Sequence, residues 1–136
     1  MDFEAARAAI FARIDAGWAS NYPGEPVEYE NRRTVDRNEA LGPFLAVELV
    51  WAKPEQASLG TAPLVRYSGA IYCVVYVRPG SGSSVSLKRL GYLAGLLNTA
   101  SFSGVQTQVA EPVPGQDLPG WYRHILRVPF YFHNQP

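Results

Sequence analysis

Val65-Arg66-Tyr67-Ser68-Gly69-Ala70-Ile71-Tyr72-Cys73-Val74-Val75-Tyr76-Val77-Arg78, followed at once by Pro79-Gly80-Ser81-Gly82-Ser83-Ser84 and a leucine-rich run ending at Leu97, decides the fold. The first part is rich in β-branched and aromatic residues and reads as one long strand, Leu64–Arg78. Val65, Tyr67, Ile71, Cys73, Val75 and Val77 fall on one face, and Arg66, Ser68, Tyr72, Val74, Tyr76 and Arg78 on the other. Gly69 in its middle predicts a bulge or bend. The Gly/Ser turn breaks the strand, and Ser83 or Ser84 is expected to cap a helix running to about Asn98. Leu87, Leu90, Ala94 and Leu97 would line its apolar face, with Leu93 beside them. Gly91 and Gly95, one turn apart, lower helix propensity and predict close approach to another backbone.

Upstream, Asp2 is expected to cap a helix from Phe3 to Ala16 or Trp18, with Phe3, Ala6, Ile10, Ile14 and Trp18 at helical spacing. Gly17 and the Asn21-Tyr22-Pro23-Gly24 run would end it. Pro26–Asn31 alternates like a short edge strand, Arg32–Glu39 is a charged connection, and Phe44–Lys53 reads as a strand with Leu45, Val47, Leu49 and Trp51 on one face. Lys53–Pro63, with two prolines and a glycine, reads as a long loop, a common place for function in a small domain. Downstream, Gly104–Val113 reads as a strand, Pro114–Gly120 as an exposed loop and Trp121–Phe132 as the last strand, whose Pro129 predicts an edge position or a bulge. The expected order is α-β-β-β-α-β-β: an α+β domain over residues 1–136, with two helices packed on a mixed, mostly antiparallel sheet.

The 136 residues suffice to bury a sizeable core. Formal net charge is zero, which argues against a nucleic-acid binder that relies on a broad basic field. The charge is nevertheless uneven: Met1–Glu55 holds ten acids and six bases, net −4, and the remainder two acids and six bases, net +4. Such a split suits head-to-tail subunit contacts, or vanishes in space if the two halves interleave. Ten of the twelve basic residues are Arg, which suits planar bidentate pairing at interfaces and equally reflects a GC-rich genome. The lone Cys73 permits no internal disulfide and sits where a small buried residue is expected. No run approaches the ~18–20 apolar residues of a membrane span, so a soluble, reducing compartment is the default expectation.

Each candidate for chemistry has a structural counterpart. Backbone N–H groups of the Gly80–Ser84 turn could hold an anion. No Gly-Lys-Ser/Thr follows, and Val85 stands where a dinucleotide fingerprint needs its third glycine, so a plain strand-to-helix connection is expected. His124 could pair with Cys73 as base and nucleophile, but both lie mid-strand and a structural histidine is favoured. His133 lacks metal-ligand spacing to another His or Cys. Glu28, Glu30 and Glu48 could align across adjacent strands, where ion pairs with Arg32, Arg33 and Arg37 are favoured over acid–base work. Trp18, Trp51 and Trp121 are read as core rather than as a ligand pocket.

The whole pattern resembles a known family: an amphipathic N-terminal helix, the Pro26-Val27-Glu28-Tyr29-Glu30-Asn31 strand and the Phe44–Trp51 strand. Tyr67-Ser68-Gly69 then enters Ile71–Val77, the Arg78-Pro79-Gly80-Ser81-Gly82 turn leads to a leucine-rich helix, and Trp121-Tyr122-Arg123 with Val128-Pro129-Phe130 marks the last strand. It resembles the small tail terminator, or tail completion, proteins of long-tailed bacteriophages and prophages, a group that includes minor tail protein U-like proteins. The resemblance implies an α+β fold without a cofactor or catalytic residues. It also implies a homo-oligomeric ring, typically a hexamer, that caps the tail tube, ends tube polymerisation and receives a head-completion or connector protein, with DNA at most passing through a lumen. The expected location is the virion tail, assembled in the bacterial cytoplasm. We read Arg32, Arg33, Arg37, Lys53, Glu55 and Gln56 as subunit or tube contacts, from the charged connection and the long loop. The alternatives are a small ligand-binding or enzymatic domain using Trp51, Tyr72 or His124, and a different ring component such as a head–tail connector.

Overall fold

A computed structural model describes residues 1–30, 32–40, 42–56, 60 and 64–134. The fold is α+β: two helices and a mixed, mostly antiparallel eight-stranded sheet. The first helix, α1 (Phe3–Asn21), starts where Asp2 Oδ1 accepts from Ala5 N–H at 2.7 Å. It runs through Gly17, which was expected to help end it. A Cβ at Gly17 would lie 2.8 Å from Tyr92 Oη and 2.9 Å from Leu96 Cδ2, so this glycine is where the two helices touch. The buried face is Ala6, Ile10, Phe11, Ile14 and Trp18; Phe3, expected inside, is 48% exposed.

Strands β1 (Val27–Tyr29), β2 (Phe44–Trp51), β3 (Glu55–Gln56) and β4 (Val65–Val77) precede α2 (Ser83–Leu97), and β5 (Ser101–Phe102), β6 (Val105–Thr107), β7 (Glu111–Leu118) and β8 (Trp121–Asn134) follow it. The sheet order is β1-β2-β4-β8-β6-β5, with β3 on β4 and β7 on β8. Among the described residues, β1 and β2 form the one parallel pair. A parallel pair needs a crossover, and residues between β1 and β2 provide it. The expected seven-element order gains β3 inside the anticipated 53–63 loop, of which 57–59 and 61–63 lie outside the described residues. The expected 104–113 strand divides into β6 and the start of β7, preceded by the short β5. The expected 114–120 loop is instead mostly β7, an exposed strand with a bulge between Val113 and Gln116.

Both helices lie on one side of the sheet. Their core meets Leu45, Val47 and Leu49 of β2, Ile71, Cys73 and Val75 of β4, and Leu126, Val128, Phe130 and Phe132 of β8. In α2 the buried face is Ser86, Leu90, Leu93 and Leu97, while Leu87 points out at 48% exposure. Gly82, at φ +80°, is the N-cap, with no side-chain cap bond from Ser83 or Ser84. Gly91 and Gly95 face open space and approach nothing among the described residues, contrary to expectation. Gly69 makes no bulge, because the β4–β8 register is unbroken across it. It marks a close approach: a Cβ there would fall 2.4 Å from the Val50 carbonyl oxygen and 3.2 Å from the Phe130 ring. Pro129 lies inside the sheet, paired with Ala70 on β4. Its other side faces the gap between β6 and β7, where Gln108 N–H donates to its carbonyl at 2.9 Å. A missing N–H is tolerated there because no ladder partner requires it.

Candidate functional site

Among the described residues, the face of the sheet opposite the helices is covered only at one end, by the 32–40 connection. Strand alternation aligns its side chains in cross-strand rows. One row, Ala46–Val74–Ile125–Val113, is apolar and half-buried, and crosses β2, β4, β8 and β7. The next is polar: Glu48–Tyr72–Arg127–Glu111. Beyond it lie Val50, Ala70 and Pro129, with Val50 49% exposed. Arg127 donates to Glu111 at 2.8 Å, and its hydrogen bonds to Tyr72 and Glu111 raise its pKa. Glu48 is exposed and has no partner among the described residues.

Two open concavities occupy this face. One, of about 530 Å³, lies beside β1 and is lined by Glu28, Glu30, Glu48, Arg32, Arg33 and Arg123 among others. The three carboxylates therefore do gather, together with the arginines of the charged connection. Their roles differ. Glu28, 4% exposed, pairs with Arg37 at 2.8 Å and accepts from Thr34 and Val35 N–H at 2.9 and 2.7 Å. Glu30 accepts from Leu49 N–H at 2.9 Å. Arg123 holds Gln116. Arg32 and Arg33 are exposed, with no side-chain partner among the described residues.

Arg37, read from sequence as a contact residue, is thus committed inside the chain. It also stacks over Phe44 and Tyr76, at 5.1 and 5.3 Å from their ring centres. Nearby, Arg78 lies 3.9 Å from the Trp121 ring centre and donates to the Arg37, Ala40 and Gly120 carbonyls. Trp121 Nε1 donates to the Arg37 carbonyl at 3.1 Å. This cluster pins the 32–40 connection over one end of the open face.

Lys53, Glu55 and Gln56 lie at the other end, all exposed. Glu55 lines the second concavity, about 360 Å³, with Arg66, Tyr72, Arg127 and Tyr131. The structure therefore brings Arg32, Arg33 and Arg37 together at one pole of this face and puts Glu55 at the other, with Lys53 beside it in sequence and Gln56 in register with Val65 on the opposite face of β4. Trp18 and Trp121 are core, as expected, but Trp51 is 38% exposed and packs edge-on against Phe3 and Phe130 beside this second pole.

His124 does not meet Cys73. Its Nδ1 is 2.6 Å from Ser86 Oγ, and that hydroxyl is also 3.2 Å from the Ser83 carbonyl oxygen. Ser86 is fully buried, and Gly115 lies over the imidazole, since a Cβ on it would fall 3.0 Å from Nε2. Burial pushes the Cys73 thiol up to about 12, away from thiolate chemistry. Sequence reading missed the Ser86–His124 contact because Ser86 occupies a core position of a helix whose turn leucine was assigned inward. His133 accepts from Arg66 Nε at 3.2 Å.

No protein-family model matches the sequence. No curated protein matches it either. Among solved structures, one chain whose name carries no functional description aligns over 100% of this chain and 99% of its own length, with a TM-score of 0.75 and 17% identity. At that identity the likeness is one of fold alone.

Proposed function

We propose that this chain is a structural virion protein of the tail terminator kind. It assembles with copies of itself into a ring that caps the tail tube, ends tube polymerisation and offers a joining surface to the head. The observation that carries the reading is the uncovered sheet face, where half-buried apolar rows alternate with charged ones. A large partly apolar face on a small two-layer fold favours a partner of its own size. The sequence resemblance supplies the kind of partner. Of the interface candidates, Arg32, Arg33 and Glu55 line the concavities of that face, and Lys53 and Gln56 are exposed in the segment next to Glu55. Arg37 contributes indirectly, by fixing the connection that presents Arg32 and Arg33.

The test is light scattering and negative-stain imaging of the full chain, alone and with tail tubes. Rings, or discs on tube ends, are the expected result. A chain that stays monomeric at every concentration and leaves tube length unchanged overturns the reading. Reversing Arg32 and Arg33 to Glu should weaken assembly without lowering thermal stability; unchanged assembly removes them from the interface.

A second reading, a small enzyme, has the 2.6 Å Ser86–His124 contact in its favour. It requires α2 to open, because Ser86 is fully buried. Stoichiometric labelling of Ser86 by a serine-directed phosphonate would favour it.

A further inference from the structure

We infer that the open sheet face of one copy is covered by the helix layer of the next, with Lys88 of the covering copy meeting Glu48 of the covered one. The inference rests on the assembly reading above and adds its geometry.

The first support is size. The open face spans β1, β2, β4, β8 and β7 from Ala46 to Trp51 of β2, beyond the end where Arg37 covers the buried Phe44. At ~4.8 Å between strands and ~3.3 Å per residue this gives roughly 500 Å² of flat area, more than half of the ~800 Å² per partner of a standard stable interface.

The second support is charge. On the open face Glu28, Glu30, Arg37, Arg123 and Arg127 all have partners within the chain. Glu48, flanked by Ala46 and Val50 on the same face of β2, has none among the described residues. The helix layer shows the same economy. Arg7 pairs with Glu4, Arg89 with Glu25, Asp15 with the Tyr29 hydroxyl, and Arg13 donates to the Leu96 carbonyl. On the outer side of α2, Lys88 is exposed with no partner among the described residues, beside the outward Leu87. Among the described residues, Glu48 is thus the unpaired charge within the rows of β2, β4, β8 and β7, inside the unpaired rim residues Arg32, Arg33 and Glu55, and Lys88 is the unpaired charge of the two helices; the two are of opposite sign and each stands next to an exposed apolar side chain, Val50 and Leu87.

Lys88 and Glu48 lie on opposite layers of the molecule. A contact between them is therefore heterologous: each copy uses both surfaces, one on each neighbour. Such contacts close into rings when the rotation allows, and two-fold dimers do not form through them.

The experiment is sedimentation velocity on the full chain and on Glu48→Lys, Lys88→Glu and the double swap, with thermal melts as a folding control. Wild type should self-associate, and less so at high salt. Each single swap should weaken association about tenfold, and the double should recover most of it. Single swaps that associate like wild type overturn the geometry while leaving the assembly reading intact. A double swap no better than the singles overturns the Lys88–Glu48 pairing. Loss of tube binding on Glu48→Lys with self-association unchanged assigns the open face to the tube and overturns the inference. A wild type that never associates, with or without tubes, sinks the assembly reading itself.

Discussion

On the helix side of the sheet, Val47, Ile71, Cys73, Val75, Val128 and Phe132 are sealed to 2% exposure or less. On the other side, their immediate neighbours along the same strands, Ala46, Glu48, Tyr72, Val74 and Arg127, keep contact with solvent. A backbone of period two places both sets, one residue apart. The contrast teaches that the apolar residues of the two faces do different work. Those inside fix the fold; those outside, set between charged rows, do little for the isolated chain and are available to a partner.

Substitutions can break that contrast. Ile71→Ala opens a cavity in the sealed layer and should lower unfolding free energy by about 4 kcal/mol in urea titrations, whereas Val74→Ala on the open face should cost under about 1 kcal/mol. Equal effects would mean that the open face is not open. Arg37→Ala leaves Glu28 buried without its cation and should cost about 3 kcal/mol by the same measurement, marking the one end of the open face that behaves as core. Gly69→Ala forces a methyl against the Val50 carbonyl and the Phe130 ring and should cost about 2 kcal/mol.

Cys73 adds a pH dependence specific to the sealed side. Its folded pKa, about 12, exceeds the ordinary 9.0, so the fold holds the proton more tightly than the unfolded chain. That contribution is fully present below pH 9 and is lost as pH rises toward 12, amounting to on the order of 1 kcal/mol by pH 10. Denaturation midpoints at pH 8 and 10 should differ more in wild type than in Cys73→Val. The smallest effect has the opposite sign. Gly91→Ala, with open space above it, should stabilise the chain by a little under about 1 kcal/mol, read from the melting temperature.

The long strand, the Gly/Ser turn and both helices were legible in the sequence, because alternation and helical spacing are strong over many residues. What misled were single residues whose meaning depends on distant neighbours. Gly17 was read as a helix stop, but it is a seat for Tyr92 and Leu96, seventy-five or more residues away in the chain. Gly91 and Gly95 carry the signal expected of a close approach, yet nothing among the described residues approaches them. Leu87 and Ser86 exchanged sides because a one-residue shift rotates a helix position by about 100°, and a buried serine needs a partner, His124, that local pattern cannot supply. The aligned carboxylates and arginines of the open face were foreseen as a cluster. Which arginine was already bound was not, since the Glu28–Arg37 pair depends on how the crossover between two parallel strands lies down.

The rims of the sheet carry a different consequence. β1 is three residues long, and β7 has Pro112 and Pro114 in its ladder and a bulge after Val113. Prolines cannot donate to an incoming strand, and short or kinked edges make poor templates for one. Such rims resist stacking edge to edge into cross-β fibrils, which leaves the broad faces as the surfaces open to a partner.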